Sequence, residues 1–216
     1  MTLSPKAQKI YSQISAADTK LGDLRTIAKE IKKDHTMAVE LWATGKLYPR
    51  LLAILILDKK ELTAEVTDQL LADMTKHPAA ESTQLADWLM ANQLTKDKKT
   101  LALLESWEHH PSALHRRLFW YHQGRLRWVG QQPPENTKDL LAAIEERMGT
   151  EAPEVQWAMN FTAGWIGIFD EPYREKCIEI GKKLGLYKDK PVARNCAPDY
   201  LPMFIESELE KRSRVK

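Results

Sequence analysis

The sequence is poor in cysteine, in glycine and in long apolar runs. Its two cysteines, Cys177 and Cys196, are too few for a disulfide framework, so we expect reduced thiols in a cytoplasmic protein. Nine glycines in 216 residues are few for a protein of sheets and tight turns, and no segment alternates apolar and polar residues at period two. The longest apolar run, at 51–57, is too short to span a bilayer, and the first residues lack the apolar core of a signal peptide. We therefore expect an all-α protein without a membrane partner.

An excess of one charge and the common catalytic motifs are also missing. Lys and Arg number 32 against 30 Asp and Glu, and a net charge of +2 is too small to indicate nucleic-acid binding by itself. The absence of Walker, GxGxxG, GxSxG and HExxH motifs leaves nucleotide-dependent, serine-hydrolase and zinc-peptidase chemistry without support. We interpret the four histidines within residues 109–122 as surface or capping residues, since no cysteine or carboxylate accompanies them at metal-ligand spacing. We expect no metal and no cofactor.

The sequence does contain a series of amphipathic helices, and residues 21–58 show them best. We place the N-cap of the first helix at Asp23. Its apolar stripe has i, i+3, i+4, i+7 spacing and consists of Leu24, Ile27, Ala28 and Ile31. Its opposite face is basic and consists of Arg25, Lys29, Lys32 and Lys33. A second helix over about 36–44 ends at Gly45, and a third over about 47–57 is so apolar that we expect it to be buried.

The same helical rhythm continues along the rest of the chain. Thr63 caps a helix whose inward residues we predict to be Val66, Leu70, Leu71 and Met74. Further helices are predicted over about 82–92, 100–108, from Pro111, 137–148, 154–169, 171–184 and at the C-terminal end, and Gly164 would permit close helix packing. About a dozen helices, with pairs recurring roughly every 35–45 residues, predict HEAT-like repeats. We place them in a single domain over 1–216, with its core at about 5–212; an irregular bundle is the alternative, because no clean internal repeat is visible.

Two parts of the sequence have residues that suit chemistry. Asp87 lies beside the apolar residues Leu85 and Leu89, where a carboxylate is costly unless it is paired or functional; the alternative is a surface aspartate. Within residues 112–128, arginines alternate with aromatic residues, which suits phosphate contacts beside stacking surfaces. These arginines are Arg116, Arg117, Arg125 and Arg127, and the alternative is an aromatic core stripe with a solvated basic face. We interpret a later stripe at helical spacing as core: Trp157, Phe161, Trp165 and Ile168.

Two long segments resemble a known family. They are LRTIAKEIKKDHTMAVELWATGKLYPRLLAILILD (24–58) and VQWAMNFTAGWIGIFDEPYREKCIEIGKKLGLYKDKPVARNCAPDY (155–200). Both are similar to the bacterial DNA alkylation repair enzymes, the AlkD-like DNA glycosylases, and the similarity extends from about 21 to 200. The resemblance implies a right-handed superhelix of HEAT-like repeats whose basic concave face holds duplex DNA. It also implies excision of positively charged purines that are alkylated at N3 or N7.

The resemblance further implies a set of site residues. Asp87 falls on the family's catalytic aspartate, and Thr83 falls where the family has a tryptophan. Arg117, next to Arg116, falls on the family's DNA-contacting arginine, and Trp165 falls on a second tryptophan that lines the site. In such a site the carboxylate stabilises the oxocarbenium-like sugar and orients water. The tryptophan faces add cation–π stabilisation and exclude solvent.

Thr83 leaves the choice of function open. Because Asp87 is present, we expect an alkylpurine DNA glycosylase. Because Thr83 removes one aromatic wall, the alternative is a non-catalytic HEAT-like protein that binds duplex or branched DNA. A third hypothesis is a protein-binding helical solenoid. The expected partner is DNA, as an alkylated duplex or a branched form, and the expected state is a monomer.

Overall fold

The structure is a computed structural model, and it describes residues 3–15, 19–194 and 196–214. These residues form twelve α-helices and no strand, which confirms the all-α prediction and the predicted number of helices. None of the helices in the described ranges combines the length and the apolar character needed to cross a bilayer. The chain packs as two compact units, Met1–Ser106 and Trp107–Lys216. The expectation of a single domain is not tested by this division and stays a prediction.

The first unit follows the predicted amphipathic pattern. Its helices are Pro5–Ile14 (α1), Leu21–Ile31 (α2), His35–Ala43 (α3), Leu47–Ile56 (α4), Ala64–Met74 (α5), Ala79–Asn92 (α6) and Lys98–Glu105 (α7). Short 3₁₀-helices lie at Lys59–Glu61 and Leu94–Lys96. The N-cap prediction for α2 is wrong, because Lys20 holds that position. Asp23 lies in the first turn instead, where its Oδ2 accepts a hydrogen bond from the Lys20 backbone N–H at 2.8 Å.

α4 is the buried centre of the first unit, as its apolar sequence predicts. Seven of its ten residues are buried, so it lacks the solvent-facing stripe of a surface helix. Gly45 ends α3 with a φ of +67°, a left-handed conformation that glycine adopts without a Cβ clash, and α4 then packs against α1, α2, α3 and α6. The inward prediction for Val66 on α5 is wrong: Val66 is 37% exposed, and the neighbouring Thr67 is buried instead.

The second unit is built around α10. Its helices are Ala113–Trp128 (α8), Thr137–Arg147 (α9), Pro153–Phe169 (α10), Arg174–Leu184 (α11) and Leu201–Ser213 (α12), and 3₁₀-helices lie at Ser106–His109 and Glu171–Tyr173. α10 lies between α8 and α12. α8 and α10 are parallel, because Arg117 lies over Trp157 near their starts and Trp128 lies beside Trp165 near their ends. α11 packs against both α10 and α12.

Two glycines let the neighbours of α10 approach closely. A Cβ atom on Gly164 would lie 2.5 Å from a ring carbon of Phe204 on α12, so the predicted close packing at Gly164 is confirmed. A Cβ atom on Gly124 of α8 would lie 2.7 Å from a ring carbon of Phe161. Both glycines therefore make room for an aromatic ring, at a cost in helix propensity of about 1 kcal/mol each.

A buried polar network joins α8, the start of α9 and the end of α10. Arg127 donates from Nε to Asp170 at 3.1 Å, and from Nη2 to the Thr137 hydroxyl at 2.8 Å. Its Nη1 donates to the Gln123 carbonyl at 3.1 Å, and the Thr137 hydroxyl donates to Asp170 at 2.9 Å. The Arg127 side chain is 1% exposed and that of Asp170 is 26% exposed. The positive charge is thus almost fully removed from water and relies on these partners.

The two cysteines have unlike environments. Cys177 on α11 is buried, and burial raises the pKa of its thiol to about 12, with the negative charge of Asp170 adding to the effect. Cys196 is exposed in the segment between α11 and α12. Both are free thiols, as expected from so few cysteines.

Candidate nucleic-acid interface

Asp87 and Thr83 lie on one face of α6 in the first unit. They are one helical turn apart, and both residues are half-buried. The core-facing residues around them, Leu85, Ala86 and Leu89, are fully buried. Asp87 therefore lies at the border between the apolar core and solvent, where a carboxylate is accessible yet less well hydrated than on an open surface. Its catalytic role stays a prediction.

An exposed arginine stacks beside this segment. The Cζ atom of Arg25 on α2 lies 4.3 Å from the ring centroid of Trp88, the residue after Asp87. Trp88 is fixed in turn, because its Nε1 donates a hydrogen bond to the Leu51 carbonyl at 3.1 Å. A guanidinium over an indole face gains cation–π attraction. The sequence pattern predicts that Arg25 lies on the basic face of α2, but nothing in the sequence predicts its contact with α6.

Arg116 is held by partners within the second unit. Its Nε and Nη2 donate to the two carboxylate oxygens of Glu151 at 3.0 and 2.7 Å, which is the bidentate geometry of strong arginine–carboxylate pairs. Its Nη1 donates to the carbonyls of His110 and Pro111. Burial alone would raise the pKa of Glu151, but hydrogen bonding and charge from Arg116 outweigh it and lower that pKa. A DNA contact by Arg116 stays a prediction, and it would have to compete with Glu151.

Arg117 points into the aromatic side of α10. It is only 3% exposed, and its Nη1 donates to the Glu154 carbonyl at 3.2 Å. Its Cζ atom lies 4.8 Å from the ring centroid of Trp157 and 5.5 Å from that of Tyr121. The guanidinium is thus stacked on aromatic rings, and its predicted phosphate contact stays a prediction.

An aromatic row follows Arg117 along α10, formed by Trp157, Phe161, Trp165 and Phe169. Neighbouring ring centroids are 5.3, 6.0 and 5.8 Å apart. The core interpretation of this stripe is confirmed for Trp165 and Ile168, which are each 5% exposed. It is wrong for Trp157 and Phe161, which are half-buried. Trp165 therefore belongs to the aromatic row of the second unit, and Arg117 lies over Trp157 at the start of that row. Asp87 and Thr83 belong to the first unit.

Trp165 is covered by α12. Phe204 meets its ring edge-on with centroids 5.6 Å apart, and the Cζ atom of Arg212 lies 5.5 Å from its ring centroid. Sequence reasoning missed Arg212, since nothing in a charged terminal helix indicates which ring it covers. It also left Phe169, which is 42% exposed, without a role, and it did not connect Trp128, an expected stacking residue that is 45% exposed, with Trp165.

The histidines behave differently from their surface interpretation. His115 and His122 are each 4% exposed, so the interpretation is wrong for this pair. Burial, together with a smaller effect of the charge of Arg125, lowers the pKa of His122 from 6.5 to about 4. His115 packs edge-on against Trp107 and stacks on His110. The apolar surroundings of α8 therefore hold His122 in its neutral form at neutral pH.

Each of the two units consists of packed α-helices, and in the second unit arginines lie over a row of aromatic rings. These features define a class of all-α proteins with a candidate nucleic-acid surface. Residues 10–182 match the family model of the DNA alkylation repair enzymes. Because this match covers most of the 216 residues, the chain belongs to the DNA alkylation repair enzyme family. No curated protein sequence matches the chain.

One solved structure is similar over nearly the whole chain. It is described as "a new family of proteins related to the HEAT-like repeat DNA glycosylases with affinity for branched DNA structures". The TM-score is 0.66 at 22% sequence identity, and the similarity covers 98% of this chain and 89% of that chain. At this identity the likeness shows the fold, and it confirms the HEAT-like helical architecture predicted from the sequence.

Proposed function

We propose that this protein is a DNA repair glycosylase that hydrolyses the N-glycosidic bond of purines alkylated at N3 or N7. The observation that carries the proposal is the position of Asp87, a half-buried carboxylate on α6 with Thr83 one turn before it on the same face. Membership of the DNA alkylation repair family supports DNA as the substrate. The proposal concerns Asp87 and its own unit, and it needs no metal.

The chemistry suits a carboxylate in this position. Alkylation at N3 or N7 makes the base cationic, so that it leaves as a neutral molecule when the glycosidic bond breaks. The sugar then develops positive charge, which a nearby carboxylate stabilises in the transition state. The same carboxylate orients the water that attacks the sugar carbon. The role of Asp87 is therefore electrostatic stabilisation and the positioning of water.

The direct test is release of 7-methylguanine from methylated duplex DNA. We expect the wild type to release the base and Asp87→Asn to be slower by about 10²–10³, the loss found when one preorganised electrostatic group is removed. Asp189→Asn is the matched control, because Asp189 is an exposed aspartate far from α6 in sequence. No release by the wild type, or equal rates for wild type and Asp87→Asn, would refute the proposal.

Thr83 provides a second arm of the same experiment. Thr83→Trp places an aromatic face one turn before Asp87, and cation–π attraction to the positive charge that develops on the sugar in the transition state is worth about 0.5–2 kcal/mol. We therefore expect base release to rise by about 2- to 30-fold. An unchanged rate in a folded Thr83→Trp protein would show that position 83 does not belong to the site. The result for Asp87→Asn would not be affected.

A second candidate function is DNA binding without excision. It is favoured by Thr83, which by the resemblance to the family takes the place of a tryptophan, and by the similar solved protein with affinity for branched DNA. It predicts salt-sensitive binding to a four-way junction in preference to a duplex of equal length. It also predicts that Asp87→Asn leaves this binding unchanged. Titrations of labelled junction and duplex at two salt concentrations separate the two functions.

A further inference from the structure

The second unit carries an arginine–aromatic surface formed by Arg125, Trp128, Trp165, Phe169 and Arg212. The Trp128 and Trp165 rings are nearly parallel, with centroids 6.1 Å apart, and the Trp165 and Phe169 centroids are 5.8 Å apart. Arg212 lies over Phe169 with its Cζ atom 4.5 Å from the ring centroid. Arg125 lies 6.0 Å from the centroid of Trp128. Three rings and two guanidinium groups thus form one continuous patch.

Two of the three aromatic residues in this patch are exposed in a way that the fold alone does not require. Trp128 is 45% exposed and Phe169 is 42% exposed, although large aromatic side chains usually gain stability from burial. Among the described residues, neither Arg125 nor Arg212 has a carboxylate within ion-pair distance, whereas Arg116 and Arg127 in the same unit do. Exposed rings next to arginines without counter-charges indicate a surface that is complementary to an aromatic anion.

Helix electrostatics explain only part of the arrangement. Arg125 lies in the last turn of α8 and Arg212 in the last turn of α12, where the helix dipole favours a cation. That effect accounts for the positive charges. It does not account for Trp128 and Phe169, which are 45% and 42% exposed beside those charges.

We propose that the arginine–aromatic surface binds an unpaired nucleotide of a DNA strand, whose base stacks on Trp128 and whose phosphates meet Arg125 and Arg212. Bases inside a duplex stack on each other and do not offer a face to a protein ring, whereas an unpaired base does. The flanking phosphates are the counter-charges that the two arginines lack. This inference rests on DNA binding in the proposed function, but it does not depend on excision.

The test compares one duplex with and without a single-stranded tail. We expect the wild type to bind the tailed DNA more tightly, and Trp128→Ala to lower the affinity ratio of tailed to blunt DNA by about 5- to 150-fold, the range for loss of one stacked base. Trp128→Phe keeps a ring and should keep most of the preference. Val129→Ala is the matched control, since Val129 is an equally exposed apolar neighbour that offers no ring.

Two further measurements separate stacking from charge. A 2-aminopurine base in the tail should lose fluorescence on binding to the wild type and regain it with Trp128→Ala, because stacking quenches it. Arg125→Gln with Arg212→Gln should lower the slope of log affinity against log salt for tailed DNA by about 1.4, or about 0.7 for each lost phosphate contact on a single strand.

The results distinguish this inference from the proposed function. Equal affinity of the wild type for tailed and blunt DNA, or a proportional loss on both with Trp128→Ala, would overturn the arginine–aromatic surface as a nucleotide site. Base release from blunt methylated duplex, which tests Asp87, does not depend on that outcome. Conversely, a wild type that releases no base but prefers tailed DNA would refute excision and support this inference.

Discussion

The buried pair between Arg127 and Asp170 predicts an unequal response to removal of its two partners. Asp170→Ala leaves the Arg127 guanidinium, whose side chain is 1% exposed, without its counter-charge. Arg127→Met leaves the Asp170 carboxylate, which is 26% exposed and therefore reached by water. The methionine also fills most of the space of the lost side chain. The two substitutions break the same ion pair but leave different charges behind.

The structure allows the two losses to be ranked. Removal of one partner from a buried pair costs about 3–5 kcal/mol, because the remaining charge is uncompensated. For Asp170→Ala we expect about 3 kcal/mol, at the lower end, since Arg127 still donates to Thr137 and Gln123. For Arg127→Met we expect about 1–2 kcal/mol, because the remaining carboxylate keeps the Thr137 hydroxyl and gains water.

Urea titrations followed by far-UV circular dichroism measure these free energies of unfolding. Glu145→Ala is the control, because Glu145 pairs with Lys176 and Lys183, whose side chains are 44% and 64% exposed. Such exposed pairs contribute less than about 1 kcal/mol each. Equal losses for the two network variants, or a larger loss for Arg127→Met, would contradict the reasoning from burial.

Two other predictions concern pH and packing. The pKa of His122 in the folded protein is about 4, below the ordinary value of 6.5. As the pH falls, the unfolded chain therefore takes up a proton on His122 at a higher pH than the folded chain does. The contribution of His122 to the free energy of unfolding is therefore fully present above about pH 6.5, and up to about 3 kcal/mol of it is lost as the pH falls to about 4. In denaturant titrations across this range, His122→Gln should lose less stability than the wild type. Gly164→Ala forces a Cβ against Phe204 and should cost about 1–3 kcal/mol, whereas Gly22→Ala on α2, with nothing within 4 Å, should stabilise by about 0.5–1 kcal/mol. A tolerated Gly164→Ala would show that Phe204 is free to shift.

Sequence periodicity was sufficient for the existence of the helices but not for their ends. α6 begins at Ala79 and not at about 82, because Pro78 takes the N-cap position and the alanines after it favour a helix. Asp23 matched an N-cap by residue type, but it reaches back from inside the first turn to Lys20. Val66 and Thr67 are neighbours on α5, and their exposure is set by which face meets the rest of the unit. A local pattern does not contain that information.

The candidate site shows the same limit. The spacing of Thr83 and Asp87 places them on one helix face, and the structure agrees. Arg116 and Arg117 are equivalent in sequence, yet Arg116 is clamped by Glu151 and Arg117 is buried against Trp157. Both partners lie beyond α9 in the chain, Glu151 just before α10 and Trp157 within it. Side-chain burial and ion pairing depend on such distant residues, and composition or spacing cannot supply them.

Because the two cysteines have unlike environments, their rates of reaction with a thiol reagent can be used to measure local opening of the fold. Thiol reagents attack the thiolate, and a thiol with a pKa of about 12 presents almost none at neutral pH, so Cys177 is protected by chemistry as well as by burial. The exposed Cys196 takes up a fluorophore in the native molecule and marks the segment before α12. The slower rate at which Cys177 is then modified reports how often the structure around α11 opens locally. The same protection slows the reaction of this internal thiol with alkylating electrophiles, which also attack the thiolate.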